Sequence, residues 1–302
     1  MNAVEPPLNV TQLNERLTRV ASELGLPVAR ARVMLCTMIV SQMLPDAAVV
    51  KGGMGVKFRF GEIGTRATSD LDVSTRERGE EFEAKFRELL TQGWGSVPAS
   101  KGQLRKDPNA PSRRAFTGSL RALATHDPGL SRPEYVMHPY RVTLAFLGTA
   151  WAGLDVEVSD PEVDADAHHE HGFDEQLVDF GARFGFGELQ PVTLVDLEYQ
   201  MAQKIHAVTD PNYDRAHDLV DLQLLCAAKP DLSKLRDLCE RTFRWRSEQD
   251  WPPLPLIERQ NWEQAYRDAR AETLVEGQTP VLEDVLQARV WLEKLLNEVL
   301  GH

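Results

Sequence analysis

Apolar residues recur at helical spacing through "VTQLNERLTRVASELGL" (10–26), with Thr11 as a capping-type residue at its start and Gly25 near its end. "PVARARVMLCTMIVSQML" (27–44) opens on Pro27, a residue suited to a helix start, and is apolar enough for a core helix. The short run "AAVV" ends at Lys51-Gly52-Gly53, which suits a buried strand breaking at a turn. "DLDVS" (70–74) reads as a second strand and "EEFEAKFRELLTQ" (80–92) as an amphipathic helix. From Tyr140, "YRVTLAFLG" and then "LDVEVS" are strand-like, and the period-2 alternation puts Asp155 and Glu157 on one face with apolar residues on the other. "DPEVDADAHHEHGFDE" (160–175) reads as a polar loop. After Pro191 helical periodicity takes over, in segments Leu194 to Val208, Tyr213 to Ala227, Leu232 to Arg244, Glu258 to Leu274 and Leu282 to Leu300, with "DWPPLPLIE" as a connector. The pattern predicts an α/β part over 1–190 and a helical part over 191–302.

Composition narrows the class. The 302 residues are 42% hydrophobic and 26% charged, enough for a real core. No apolar run reaches membrane-helix length and the start lacks a signal-peptide pattern, so the expected location is the cytoplasm, with no membrane partner. Cys36, Cys226 and Cys239 are far apart in apolar surroundings and are expected to be buried thiols. The net charge of −12 argues against a surface coated for nucleic acid. One local exception is "KGQLRKDPNAPSRRAFTGSLR", where Lys101, Arg105, Lys106, Arg113, Arg114 and Arg121 face a single acid, Asp107. Such a segment is either a local docking site for an anionic partner or a solvated loop.

Chemistry concentrates in "KGGMGVKFRFGEIGTRATSDLDV" (51–73). A glycine pair after a strand lets backbone N–H groups approach a phosphate. Asp70 and Asp72, two apart on a strand, point the same way and can hold divalent cations. Two metals need a further acid, and Asp155 and Glu157 are the candidates downstream. A charged-end hairpin is the plain alternative for each half. On the later helices Lys204 could neutralise a triphosphate, and Asp218 and Asp221 share a face, while Arg215 and Asp218 could form an ordinary intrahelical pair. His168, His169 and His171 lack the spacing of a helical metal site and read as a solvated loop. Trp245 and Trp251 read as packing residues of the helical part.

The set Lys51-Gly52-Gly53, Arg66-x-Thr68-x-Asp70-Leu71-Asp72, Val156-Glu157-Val158-Ser159, Lys204 to Ala207, Arg215 and Asp218-x-x-Asp221-Leu222 resembles the AbiEii/MenT family of nucleotidyltransferase toxins over about residues 45–225. The resemblance implies an α+β fold, with a polymerase-β-like nucleotidyltransferase core of mixed sheet and helices followed by a helical C-terminal domain. It implies a Mg²⁺-dependent toxin of a toxin–antitoxin pair that transfers a nucleotide from a nucleoside triphosphate to RNA, notably the 3′ end of tRNA, and stops translation. Asp70 and Asp72 would then bind two metal ions, with Glu157 as third ligand and Asp155 the weaker choice. Lys51, Gly52, Gly53, Arg66, Thr68, Ser69 and Lys204 would bind the nucleotide, and Asp218 would complete the catalytic set with Asp70, Asp72 and Lys204. Thr68 or Ser69 is where antitoxin-linked phosphorylation would block nucleotide binding. The extra glycines of "MGVKFRFGEIG" and the 101–121 segment depart from the shared motifs. A protein hydroxyl or a small molecule as acceptor, or a silent nucleotide-binding module, are the alternatives.

Overall fold

The computed structural model describes residues 4–77, 79–124, 137–163, 169–212, 214–253, 260–273 and 280–301. In chain order these form α1 (Val10–Glu23), α2 (Val28–Ser41), β1 (Val49–Val50), α3 (Gly52–Phe60), β2 (Asp70–Ser74), α4 (Gly79–Gln92) and β3 (Trp94–Val97). Next come α5 (Lys101–Lys106), β4 (Arg113–Ala122), β5 (His138–Phe146), β6 (Thr149–Ser159), β7 (His169–Gly172) and α6 (Glu175–Ala182). β8 (Val192–Val195) precedes α7 (Leu197–Thr209), α8 (Ala216–Ala227), α9 (Leu232–Arg246), α10 (Trp262–Ala271) and α11 (Val285–Leu300). Helix accounts for 49% of the described residues and the class is α+β, as the family resemblance implied.

Two compact units divide the chain. The first holds 1–50, 69–160 and 171–192; the second holds 51–68, 161–170 and 193–302. The chain therefore crosses between them several times, and the glycine pair belongs with the later helices rather than with the strands that flank it.

In the first unit six strands take the order β3-β4-β5-β6-β2-β1. β2 and β6 run parallel, whereas β1–β2, β3–β4, β4–β5 and β5–β6 pair antiparallel, so the sheet is mixed. β5 and β6 are joined by Leu147-Gly148, both at positive φ (49° and 84°), as a two-residue hairpin turn requires. The core beneath is aromatic: Phe116 lies 5.0 Å from Phe146, 5.7 Å from Trp151 and 4.8 Å from Phe186, ring centre to ring centre. Gly93, at φ +72°, lets α4 turn into β3; a Cβ there would stand 2.1 Å from the Phe116 carbonyl oxygen.

The second unit is helical around α7 and α8. A buried polar link closes it: Gln223 on α8 donates to the Tyr266 hydroxyl at 3.1 Å and accepts from the Leu282 amide at 2.8 Å, while Tyr266 donates to the Leu282 carbonyl at 2.9 Å. Each polar atom named there has a partner, which is what makes burial of the set tolerable. Trp251 packs on Phe243 at 5.0 Å, as expected of a packing tryptophan.

Four expectations need correction. Asn9, not Thr11, caps α1, because Asn9 has the extended backbone and its side chain accepts from Gln12. Residues 169–172 of the supposed loop form β7, and 192–195 form β8, so the helix begins at Leu197 rather than Leu194. Asp196 sets that start by accepting the Tyr199 amide at 2.9 Å. The basic segment is not a loop throughout: it is the short helix α5 and the strand β4. Cys36 and Cys239 are buried but Cys226 is only partly so. His168, Leu274 and Tyr213 lie outside the described residues.

Truncation of Phe116 tests the aromatic core. Phe116→Ala should lower unfolding stability by about 3–5 kcal/mol, read by denaturant titration. A loss below about 1 kcal/mol would mean the cluster is not a stabilising centre.

Candidate active site

Asp70 and Asp72 stand on β2 in alternation with Leu71 and Val73, which are fully buried. The parallel partner β6 repeats the arrangement, its acids alternating with Leu154, Val156 and Val158 in the core. Register pairs Asp70 with Asp155 and Asp72 with Glu157. Paired residues on neighbouring strands point to the same side, so four carboxylates crowd one face.

That face contains its own partial answer to the repulsion. Arg141 of β5 pairs in register with Asp155, and its Nη1 lies 2.7 Å from Asp155 Oδ1. Gly153 makes room, since a Cβ there would stand 2.9 Å from the Arg141 guanidinium. Asp155 is thus engaged by a cation of the chain itself, and Asp70, Asp72 and Glu157 stand on the same face, where they could hold a divalent metal. Hard oxygen donors on two hydrogen-bonded strands fit Mg²⁺, which takes a few carboxylates and keeps its waters. Ser69 donates its hydroxyl to Asp70 Oδ1.

The same row extends to a basic residue. Arg121 of β4 pairs with Arg141, which pairs with Asp155, which pairs with Asp70. Arg121 is exposed and stands on the carboxylate side, roughly 10 Å from β6 at two strand spacings. Lys101, Arg105 and Lys106 are exposed on α5, Arg114 is exposed on β4, and Arg113 is half-buried beside the Pro98 carbonyl.

In the second unit Lys51 is the N-terminal flanking residue of α3, with no side-chain cap. Gly52 sits at φ +62°, and its carbonyl accepts from Gln200 Nε2 at 2.7 Å. A Cβ on Gly53 would meet Thr68 Oγ1 at 3.0 Å and Arg66 Nη2 at 3.2 Å. The glycine pair thus opens a helix whose first amides lack intrahelical partners, a site with partial positive charge suited to phosphate.

Behind this turn lies a buried charge network. Lys204 Nζ on α7 donates to Asp218 Oδ1 at 2.8 Å and Asp221 Oδ2 at 2.6 Å on α8. Arg66 grips Asp221 through Nε at 3.0 Å and Nη2 at 3.0 Å, and Arg215 Nε donates to Asp218 Oδ2 at 2.9 Å. Burial alone would raise the Asp218 carboxyl, but Lys204 and then Arg215 outweigh it and hold it well below the usual range. For Asp221 burial is likewise outweighed, by Lys204 and then Arg66. Arg215 and Asp218 do form the short-range pair foreseen from spacing, but within a larger set. Arg66 and Lys204, read from sequence as triphosphate ligands, are placed here against aspartates.

Missed from sequence were Arg141 and Gln200, whose roles appear only once strand register and helix packing are known. Asp221 was noted for its spacing but not as a hub.

Strand acids of this kind are the equipment of a nucleotidyltransferase. The chain belongs to the family described as "Nucleotidyl transferase AbiEii toxin, Type IV TA system", which matches residues 34–288. Among solved structures it is similar in fold to MenT4, a nucleotidyltransferase toxin from Mycobacterium tuberculosis H37Rv. The TM-score is 0.57 at 18% identity, over 95% of this chain and 90% of that one. No curated protein sequence matches the chain. Membership in a type IV toxin–antitoxin family implies a cognate antitoxin. Among the described residues no single helix is long and apolar enough to cross a membrane.

The network predicts a pH dependence. Both aspartates have folded-state pKa values below the unfolded value of about 3.9. Their stabilisation is therefore present above that value and lost as pH falls through the folded value. Lys204→Met leaves two buried acids short of a cation, and should cost about 3–5 kcal/mol at pH 7. Between pH 2 and 7, that variant should lose the rise of stability with pH that the two aspartates give below about pH 4. Denaturant unfolding across this range checks both, and an unchanged acid profile would show that Lys204 does not set it.

Proposed function

We propose that this toxin transfers a nucleoside monophosphate from a nucleoside triphosphate to the 3′ end of tRNA, using Mg²⁺, and so blocks translation in the cytoplasm. The observation that carries the reading is the register of β2 against β6, which brings Asp72 beside Glu157 and keeps Asp70 on the same face. In this reading Asp70, Asp72 and Glu157 hold two magnesium ions. When bound there, Mg²⁺ supplies charge neutralisation for the triphosphate and eases ionisation of the attacking hydroxyl.

The chain's own residues do the rest. Amides of Gly52 and Gly53 bind phosphate oxygens at the start of α3, and Lys51 adds charge. Lys204 uses two N–H groups on Asp218 and Asp221, and its third is left for a triphosphate oxygen. Arg66 and Asp218 act as positioning residues that hold Lys204 and the turn. The acceptor 3′ hydroxyl attacks the α-phosphorus, the bond to the β-phosphate bridging oxygen breaks, and pyrophosphate leaves.

Arg121 favours an RNA acceptor, because it puts a cation in the row that contains Asp70 and Asp155. The cations of α5 extend the same charge. Thr68 supports the regulatory part of the reading: its hydroxyl packs against Gly53, so a phosphate on Thr68, or on Ser69 next to it, would put a dianion at the phosphate turn. The antitoxin would act there. A protein hydroxyl or a small molecule as acceptor is the second reading, and it has no use for Arg121.

Purified protein incubated with each labelled nucleoside triphosphate, Mg²⁺ and total tRNA should label tRNA. Asp70→Ala should lower the rate by at least about a hundredfold. Arg121→Ala should raise KM for tRNA, leave kcat within about twofold, and reduce the salt slope of binding by about one unit. Undiminished labelling by Asp70→Ala overturns the mechanism; labelled protein with unlabelled tRNA overturns the acceptor.

A further inference from the structure

One cluster in the second unit has no part in this chemistry. His206 and Asp210 are four residues apart at the end of α7, so they share a face. Glu248 comes from the segment after α9, just past Ser247, which closes the helix in the left-handed conformation at φ 53°. One ligand-type atom from each of the three lies within 4.8 Å of the others. The arrangement is braced: Gln249 Nε2 donates to the His206 carbonyl at 2.7 Å, and the Phe243 ring meets the imidazole edge-on at 4.7 Å.

The imidazole is 1% exposed, and its two nitrogens differ. Arg246 Nη1 lies 3.2 Å from Nδ1, whereas Nε2 is buried with no hydrogen-bond partner. A buried polar atom left this way is costly and uncommon. Burial, then Arg246, lowers the ring's pKa to about 3, so the imidazole is neutral and able to act as a ligand. Glu248 is shifted the other way, raised by burial and then by Asp210. Two acids thus face one another, while the nearest guanidinium, Arg246, is committed to Glu162 through Nε at 3.2 Å and Nη2 at 2.8 Å. A cavity of about 680 Å³ opens at Glu248 and is acidic, with Glu240, Glu248 and Asp250 against Arg244. Its three acids against one arginine favour the approach of a cation.

We propose that His206, Asp210 and Glu248 form a divalent-cation site that takes a transition metal such as Zn²⁺ or Mn²⁺. One imidazole and two carboxylates suit these ions, whereas Mg²⁺ prefers oxygen alone. With Arg246 on Nδ1 the metal-free ring carries its proton on Nε2. Loading puts the cation on Nε2 and moves the ring proton to Nδ1, so the planar Arg246 guanidinium must shift as a whole away from the ring. That rearrangement opposes binding, so the affinity is micromolar. The metal would tie the end of α7, the helix that carries Lys204, to the end of α9.

The test uses tag-free, chelator-stripped full-length protein with Asp70→Ala and Asp72→Ala, which removes the other acidic face. Isothermal titration with Zn²⁺ and Mn²⁺ should show one equivalent bound at micromolar Kd, and Co²⁺ should give visible absorption bands of a nitrogen-ligated ion. Glu248→Gln, at an exposed position that folding tolerates, should weaken binding by about tenfold or more. His206→Gln should abolish the Co²⁺ bands. Failure to bind either ion, or binding unchanged in both Glu248→Gln and Asp210→Asn, would overturn the proposal.

Discussion

The register between β2 and β6 governs this protein. Side chains alternate along a strand, so a slip of one residue would exchange the two faces of the sheet. Here one face carries Leu71, Val73, Leu154, Val156 and Val158 into the core, and the other carries four acids. Slippage would bury carboxylates and expose a row of aliphatic side chains, each of which contributes about 1.5–3 kcal/mol when buried. The apolar residues that do no chemistry therefore decide where the acids stand. Asp72 meets Glu157 because Val73 and Val158 have nowhere else to go.

The helical unit reaches the same kind of specification with charge. Lys204 reaches from α7 to two aspartates one turn apart on α8, and Arg66 and Arg215 close the remaining sides. A buried ion network of this kind adds little net stability over an apolar core, because each charge has lost its water. What it adds is discrimination. A helix rotated or shifted by one turn would leave an aspartate buried without a cation, and that cost excludes the alternatives. Gly53 lies against Arg66 and Thr68, so the glycine turn is built on a member of the network.

The candidate site was legible in the sequence as a pattern where its signal was local. Asp70-x-Asp72 and Asp155-x-Glu157 follow from period-2 alternation, and the glycine pair from the break after an apolar run. The switch of period along the chain gave a mixed part followed by a helical part, and the family resemblance made the class α+β. What was not legible depended on partners distant in sequence. β7 and β8 are four residues each, too short for alternation to separate them from polar loop or helix start. The claim of Arg141 on Asp155 depends on the β5–β6 register and on the space at Gly153. The meeting of His206 with Glu248 and Arg246 depends on how α7 packs on α9, some forty residues later, which no local pattern encodes.

Charge gives the last step. A net charge of −12 would seem to exclude a polyanionic substrate, yet charges farther apart than about 8–10 Å are largely screened at physiological salt. What matters to an RNA is the field where it would lie. In the first unit the exposed cations of α5 and β4 are set at one end of the sheet order, and Arg121 continues the row of acids inward from that end. The net negative charge disfavours polyanion contact in general, while the cations of this segment keep a local attraction. In the proposed reading the overall acidity and the basic strand act together, the first limiting where a polyanion can settle and the second marking the place.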